Sequence, residues 1–276
     1  MPELPEVETI RRSLLEKIDR EIIKEIISYH PDVLMNVDHF KLKNWQIQGI
    51  RRRGKYLLFD LEQLKNKIPM TMLVHLRMTG KLILHEKVEN PAKHTHVRFL
   101  LAGGGCLDFN DIRRFGRVKL FKPGHELSDQ GLASLGPEPL SEDFTGDYLY
   151  KICKRFARGT IKGLLLNQKA IAGLGNIYAD ESLFRAKIRP SRLSGQISQA
   201  RLNLLAKVIK DVLSEAIGHR GTSFRDYVDG LGNKGFFQLK LAVYQKTGQA
   251  CPHCGRPIER TKIAGRSTHF CPHCQT

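Results

Sequence analysis

Apolar residues recur at helical spacing at the start of the chain. Val7, Ile10, Leu14 and Ile18 share one face, with Arg11, Arg12 and Lys17 off it, which predicts an amphipathic helix. From about Glu21 to Lys122 the pattern changes. Short apolar stretches at 56–61, 70–76, 82–84, 97–101 and 118–121 are divided by Gly, Pro and charged turns. Many short strands with turn signals between them predict an antiparallel sandwich or barrel, and the lack of strand–helix alternation argues against a parallel doubly wound sheet. The run Leu135-Gly136-Pro137-Glu138-Pro139-Leu140 reads as an interdomain link into a helical region. There Ser141 is a candidate N-cap before a helix over 147–156, followed by helices over 161–167, 176–186 and 199–217. The last is the clearest: Leu202, Leu205, Ile209, Val212, Leu213 and Ala216 form one face, with Gly218 and Gly221 past its end. Residues 222–237, rich in Gly and polar side chains, read as a mobile loop. The chain is therefore expected to be α+β and multidomain, with domains over 1–135, 136–237 and 238–276.

Composition adds one strong fact. Of 276 residues, 41% are apolar and 26% charged, which is ordinary for a globular protein. The 45 Lys+Arg against 28 Asp+Glu, however, leave a formal charge of +17. Such an excess is the electrostatic footprint of a polyanion binder, although charge alone does not separate DNA from RNA or an anionic membrane. Glu3, Glu6, Glu8, Arg11, Arg12 and Glu16 rule out a signal peptide over the first twenty residues. No apolar run approaches the ~18 residues of a membrane helix. The expected compartment is the reducing cytoplasm, where six cysteines would not form disulfides. Cys106 and Cys153 then read as small packing residues.

The other four cysteines carry chemistry. Cys251-Pro252-His253-Cys254 and Cys271-Pro272-His273-Cys274 form two C-x2-C knuckles. That spacing closes a tetrahedral zinc site, and four sulfur ligands with no open position make it structural. His253 and His273 are then surface residues. A basic hairpin with Lys262 and Arg266 would project between the knuckles, and the metal would supply folding energy to a segment too small for a good core.

The opposite end is chemically unusual as well. Removal of Met1 from Met1-Pro2 would expose a secondary amine beside Glu3 and Glu6. An α-amino group titrates near ~8, so roughly a tenth is free base at neutral pH, and a helix N-terminus or a nearby lysine such as Lys55 would raise that share. A secondary amine attacking a sugar C1′ gives an iminium, an electron sink able to drive loss of the 3′ phosphate. Glu3 could act as acid or base, and Glu6, one helical turn on, as electrostatic or water-positioning support. Read alone, the segment favours a plain helix start, with proline and acids in the first turn.

Six blocks occur in one order along the whole chain: Met1-Pro-Glu-Leu-Pro-Glu-Val-Glu-Thr9, Arg53-Gly-Lys55-Tyr56, His75-Leu-Arg-Met78-Thr-Gly80, Asp111-Ile-Arg113-Arg114-Phe115-Gly116, Gly173-Leu-Gly-Asn176-Ile-Tyr-Ala-Asp-Glu181, and the zinc ribbon with Gly265-Arg266-Ser267-Thr268. Together they resemble the formamidopyrimidine-DNA glycosylases. The resemblance implies an N-terminal antiparallel β-sandwich with an N-terminal helix, a helix–two-turn–helix domain and a C-terminal zinc ribbon holding one structural zinc ion. It implies a base excision repair enzyme that removes oxidised purines from double-stranded DNA and cuts the strand by β,δ-elimination. Pro2 would be the Schiff-base nucleophile, Glu3 the proton donor for base loss, Lys55 the residue for β-elimination and phosphate contact, and Arg266 the residue for δ-elimination. Met78, Arg113 and Phe115 would fill the gap left by the extruded nucleotide, while Asn176 and Arg266 would grip flanking phosphates. His94 and Arg158 are further candidate DNA contacts, although Arg158 lies in a charge run over 151–162 of the kind that is usually a solvated face. For Met78 and Phe115 the alternative is core packing.

A monomer associated with nucleoid DNA in a bacterial cytoplasm is expected, no feature demanding an oligomer. Two other readings stay open. One is the sister endonuclease VIII type, which prefers oxidised pyrimidines; Leu4 and the intact Met78, Arg113 and Phe115 set favour the purine enzyme. The other is a zinc-ribbon DNA-binding protein without chemistry, against which Pro2, Glu3 and Lys55 argue.

Overall fold

The computed structural model describes residues 1–276 except His39, Arg225 and Asp226. Helix α1 (Leu4–Ile18) leads into nine strands: β1 (Ile22–Ser28), β2 (Leu34–Met35), β3 (Lys43–Arg53), β4 (Tyr56–Gln63), β5 (Pro69–His75), β6 (Gly80–His85), β7 (Thr95–Leu101), β8 (Cys106–Asp111) and β9 (Arg117–Phe121). Five helices follow, α2 (Gln130–Ala133), α3 (Gly146–Arg155), α4 (Ile161–Leu166), α5 (Asn176–Arg185) and α6 (Gln199–Gly218), then a hairpin of β10 (Glu259–Ile263) and β11 (Arg266–Phe270). The chain divides into two compact units, one of residues 1–133 with 219–236 and one of 134–218 with 237–276.

In the first unit the nine strands form one hydrogen-bonded sheet in the order β2-β9-β5-β4-β3-β1-β7-β8-β6, all antiparallel except the short β2–β9 pair. This order forces the sheet to fold over. β5 and β6 are joined by residues 76–79, and β8 and β9 by 112–116, yet each pair lies six positions apart in the sheet. A flat sheet would separate them by about 29 Å at ~4.8 Å per strand. Connections of four or five residues reach only about 17–21 Å. Two layers are therefore the only solution, and the core fills between them with Trp45, Ile47, Leu57, Phe59, Val97, Phe99, Phe109 and Val118. β3 carries a bulge between Ile47 and Gly49, which keeps Ile50 on the buried face after Trp45 and Ile47.

Helix α1 lies against β3 and β4, with Leu4, Val7, Ile10, Leu14 and Ile18 all buried. Its polar residues are buried too. Glu8 is 7% exposed and is reached by Arg11 and Arg12 at 2.8 Å and by Arg52 of β3 at 3.1 Å. Burial alone would raise its carboxyl, but hydrogen bonds from Arg11 and Arg12 and the charges of Arg11 and Arg52 outweigh that and hold it down at about 2.

In the second unit α6 buries Leu202, Leu205, Ile209, Val212, Leu213 and Ala216, as its periodicity predicts. The cap of α3 is Thr145, whose side chain accepts from Tyr148 N–H at 3.1 Å, and not Ser141, whose hydroxyl donates to the Glu138 carbonyl. Thr145 wins because only it sits three residues before an orphan helical amide. α6 runs on through Gly218, leaving Gly221, at φ 77°, as the glycine beyond its end. The largest departure is Lys162. Within a run expected to be solvated it is fully buried, pairing with Asp180 at 2.6 Å and donating to the Ser267 carbonyl at 2.9 Å and Thr268 Oγ1 at 2.8 Å. Asp180 also accepts from the His269 N–H at 2.9 Å, so one buried ion pair ties α4 and α5 to β11.

Two stability experiments follow. Lys162→Met should cost about 3–5 kcal/mol in urea unfolding by stranding a buried carboxylate, and adding Asp180→Leu should recover most of it. Glu8 has a depressed carboxyl, so its contribution is present above the ordinary pKa of 4.5 and lost as pH falls through about 2. Glu8→Gln should therefore be less stable than wild type at neutral pH, with the gap closing between those two values in a pH series of melts.

Candidate functional site

The amino end of α1 is a buried polar cluster. Pro2 is buried, Glu3 is 3% exposed and Glu6 2%. Glu3 is the N-cap and forms a capping box with Glu6, whose Oε2 accepts the Glu3 N–H at 2.8 Å. The other oxygen of Glu6 accepts the Thr222 N–H at 2.8 Å. One carboxylate thus fixes the residue after Pro2 and moors the 219–236 segment to the helix. Gly221, at φ 77°, makes this approach possible, because a Cβ there would sit 2.9 Å from Glu6 Oε1. Tyr227 adds a half-buried phenol with its hydroxyl 3.3 Å from the Glu6 carbonyl. Burial first, and the Glu6 charge next, push that phenol far above its ordinary range.

Lys55 reaches the same end of the sheet through turn chemistry. Arg53 pairs with Tyr56, leaving Gly54 and Lys55 as a two-residue turn with Gly54 at φ 55°, so Lys55 sits on the turn and not within a strand. Along the α1–β3 contact Arg11 meets the Ile50 carbonyl and Glu8 meets Arg52. Glu3 lies five residues earlier, about 7.5 Å of helix or roughly two strand residues, which is the level of the Gly54–Lys55 turn. Lys55 is 7% exposed. Its charge is felt by His75, whose imidazole is pushed down to about 3 by burial first and then by Arg77 and Lys55. Neutral His75 accepts the Arg77 N–H on Nδ1 at 3.0 Å, which leaves its proton on Nε2. Pro2, Glu3, Glu6 and Lys55 thus occupy one end of the first unit.

Met78 and Phe115 lie in the two short connections that close the sandwich and are 37% and 49% exposed. Core packing is thereby excluded for both. The exposed Arg113 places its guanidinium 4.6 Å from the Phe115 ring centroid. His94 is half-buried just before β7, its carbonyl accepting the Asp111 N–H at 3.0 Å.

In the second unit Asn176 opens α5 behind its N-cap Gly175, with Gly173 at φ 80° in the preceding turn. Its side-chain amide already donates to the Ser267 carbonyl at 2.9 Å, while Oδ1 has no hydrogen-bond partner among the described residues. Arg266 is exposed beside the two-residue turn Ala264–Gly265, both at positive φ, as a tight hairpin requires. Arg158 is exposed between α3 and α4. The four cysteine sulfurs lie within 4.8 Å of one another, with Cys251–Cys274 at 3.9 Å and Cys254–Cys271 at 3.5 Å. A tetrahedron with zinc–sulfur bonds of ~2.3 Å has edges near ~3.8 Å, so the donor set fits one structural zinc ion. His253 and His273 are exposed and outside this set. Cys106 and Cys153 are buried, and burial pushes the Cys153 thiol up to about 12, so both behave as packing groups.

Several residues had no place in the sequence reading. Asp111 and Thr79 link the two exposed connections, Tyr227 backs Glu6, and Glu181 accepts three successive amides, Ala242, Val243 and Tyr244, at 2.8–2.9 Å. A warning signal was present in each case, an acid or hydroxyl inside a block dense in glycine and apolar residues, but its partner is remote in sequence. Arg225 and Asp226, within the loop expected over 222–237, lie outside the described residues.

Comparison with known proteins adds the following. Family models described as the formamidopyrimidine-DNA glycosylase N-terminal domain, the formamidopyrimidine-DNA glycosylase H2TH domain and the zinc finger found in FPG and IleRS match residues 1–118, 135–228 and 248–276. The formamidopyrimidine-DNA glycosylase of Desulforamulus reducens is 46% identical over 280 residues, covering 100% of this chain and 99% of that protein. A Lactococcus lactis FPG variant solved with DNA containing Fapy-dG superposes with a TM-score of 0.89 at 38% identity over 100% of both chains. The wild-type Lactococcus lactis protein solved with DNA containing an oxidised pyrimidine gives the same TM-score, identity and coverage.

The metal site generates a direct expectation. Chelation of zinc should abolish amide-exchange protection across 258–270 in deuterium-exchange mass spectrometry, leave the α6 core protected, and be reversed by added zinc.

Proposed function

Because the chain belongs to the formamidopyrimidine-DNA glycosylase family, we propose that it excises 8-oxoguanine and ring-opened purines from double-stranded DNA and then cuts the strand at the same site. It is a DNA glycosylase of base excision repair with one structural zinc ion. The observation that carries the finer reading is the buried polar cluster at the amino end, where Glu6 fixes Glu3 directly beside Pro2. A helix start alone gains nothing from burying two carboxylates, whereas an acid held against a nucleophile needs a fixed, desolvated position.

The steps are as follows. With Met1 removed, the Pro2 nitrogen is a secondary amine that attacks C1′ of the damaged nucleotide. The C1′–N bond to the base breaks, and Glu3 supplies the proton that lets the base leave. Opening of the sugar yields an iminium between Pro2 and C1′. Loss of a C2′ proton expels the 3′ phosphate, and loss of a C4′ proton through the conjugated system expels the 5′ phosphate. Lys55 contacts phosphate and serves the first elimination; Arg266 serves the second. Reaching C1′ requires extruding the nucleotide from the helix, which costs a few kcal/mol of stacking. Met78 and Phe115 offer apolar surface to fill the space, and Arg113 hydrogen-bonds the orphaned base. Asn176 and Arg266 hold flanking phosphates, with the first amides of α5 as added donors, and His94 and Arg158 extend the contact. Exchange of the Asn176–Ser267 bond for a phosphate would free that amide. The domains are proposed as the chain segments 1–135, 136–237 and 238–276, with 219–236 returning to pack in the first unit, and the compartment as the cytoplasm, where chromosomal DNA lies.

A second reading has a specific observation behind it. The structural neighbour bound to oxidised-pyrimidine DNA extends the candidate substrates to oxidised pyrimidines.

Borohydride trapping tests both. On a duplex with one 8-oxoguanine, reduction should freeze a cross-link that peptide mass spectrometry places on Pro2. A parallel duplex with an oxidised pyrimidine ranks the substrates. No cross-link on either, with Met1 absent and DNA bound, defeats the covalent mechanism. Glu3→Gln should lower base release by at least about 100-fold while a preformed abasic site is still cut.

A further inference from the structure

The seam where the sandwich closes is held by one side-chain pair. Asp111, the last residue of β8, is fully buried and sits opposite Gly80, the first residue of β6. Its Oδ1 accepts the Thr79 hydroxyl and the Arg113 N–H, the latter at 3.2 Å, and its Oδ2 accepts the Gly116 N–H at 2.7 Å. The Thr79 hydroxyl in turn accepts the Arg113 N–H at 3.3 Å. The Asp111 carbonyl takes the His96 Nε2–H at 2.8 Å and the Arg114 N–H at 3.2 Å. Every polar atom of Asp111 therefore holds one of the two connections or the strand beside them. Met78 precedes Thr79, and Phe115 precedes Gly116, so each exposed apolar side chain is one residue from an anchor in this network.

We propose that Thr79 and Asp111 form a clasp that presents Met78 and Phe115 as one pre-organised wedge, making both anchors positioning residues for nucleotide extrusion. The proposal rests on the reading of Met78, Arg113 and Phe115 as the side chains that fill the vacated space in DNA. Two loops crossing the same seam would otherwise have to be ordered on the DNA at the moment of insertion. A wedge whose halves share one carboxylate has that ordering done in the free protein. Among the described residues, the hydroxyl is a side-chain link between the connections that a conservative substitution can remove while leaving the backbone bonds of Asp111 in place.

Thr79→Val removes the hydroxyl at constant shape, and Thr79→Ser keeps it. Single-turnover excision of 8-oxoguanine by Thr79→Val should slow about tenfold, the scale expected for loss of one hydrogen bond to a charged group. Cutting of a preformed abasic site, which has no base to unstack, should change less than about twofold. The extrusion phase seen by 2-aminopurine fluorescence should slow with excision, Thr79→Ser should behave as wild type, and Thr79→Val should stay folded with a melting temperature only a few degrees lower. Wild-type excision by Thr79→Val, or equal slowing on both substrates, overturns the clasp. Met78→Ala and Phe115→Ala separate this from failure of the underlying reading. If they slow excision while Thr79→Val does not, the clasp alone falls; if they leave excision unchanged, the wedge falls and the clasp with it.

Discussion

Closure of the nine-stranded sheet by two connections of four and five residues is the constraint on which the rest depends. Short connections between strands that are distant in sheet order leave no freedom in how the layers meet. Leu76 turns into the core, but the side chains at 77–78 and 112–115 are exposed and cannot follow it, since the rest of the core side is filled by the strands themselves. They must stand outward, on a base as rigid as the sheet. A long loop would present the same residues with far more conformational entropy to lose on binding. In this molecule the mechanics of closing a sandwich and of building a firm protrusion are one requirement.

The amino end solves a different problem with buried charge. Glu3, Glu6 and Glu8 follow one another along α1, all under a tenth exposed, each in a different state. Glu8 is neutralised by three arginines and is structural. Glu6 spends its two oxygens on backbone amides from two ends of the unit and is a positioning group. Glu3 caps the helix and stands next to Pro2. Glu6 thereby fixes where Glu3 stands, and Glu8 ties the helix that carries it to β3.

Much of this was legible in the chain. The helix stripe, the cysteine knuckles and the hairpin turn rest on spacing, and spacing is a local property. Lys55 and Arg266 stand in blocks that carry the resemblance, but the placement of Lys55 on the Gly54–Lys55 turn and not in a strand comes from the structure. Thr145 was displaced by Ser141 in the reading because both are good caps, and only the tertiary start of α3 separates them. Lys162 could not be read. A lysine in a basic run is solvated unless a carboxylate waits inside, and Asp180 lies eighteen residues away on another helix. Thr79 and Asp111 were hidden for the same reason: their meeting is a product of sheet order, which no window of sequence contains.

Glu181 has a consequence of its own. Three consecutive amides at 242–244 converge on its carboxylate, an arrangement that elsewhere captures a free phosphate or sulfate from solution. Here the guest is part of the host. Because it is covalently attached, its effective concentration is fixed and no dilution can empty the nest. The stretch leading into the cysteine knuckles is therefore moored to α5 by a bond that does not involve the metal. Loss of zinc would leave a tethered segment rather than a loose tail, with the first pair of thiols still held close to α5 and ready to be filled again.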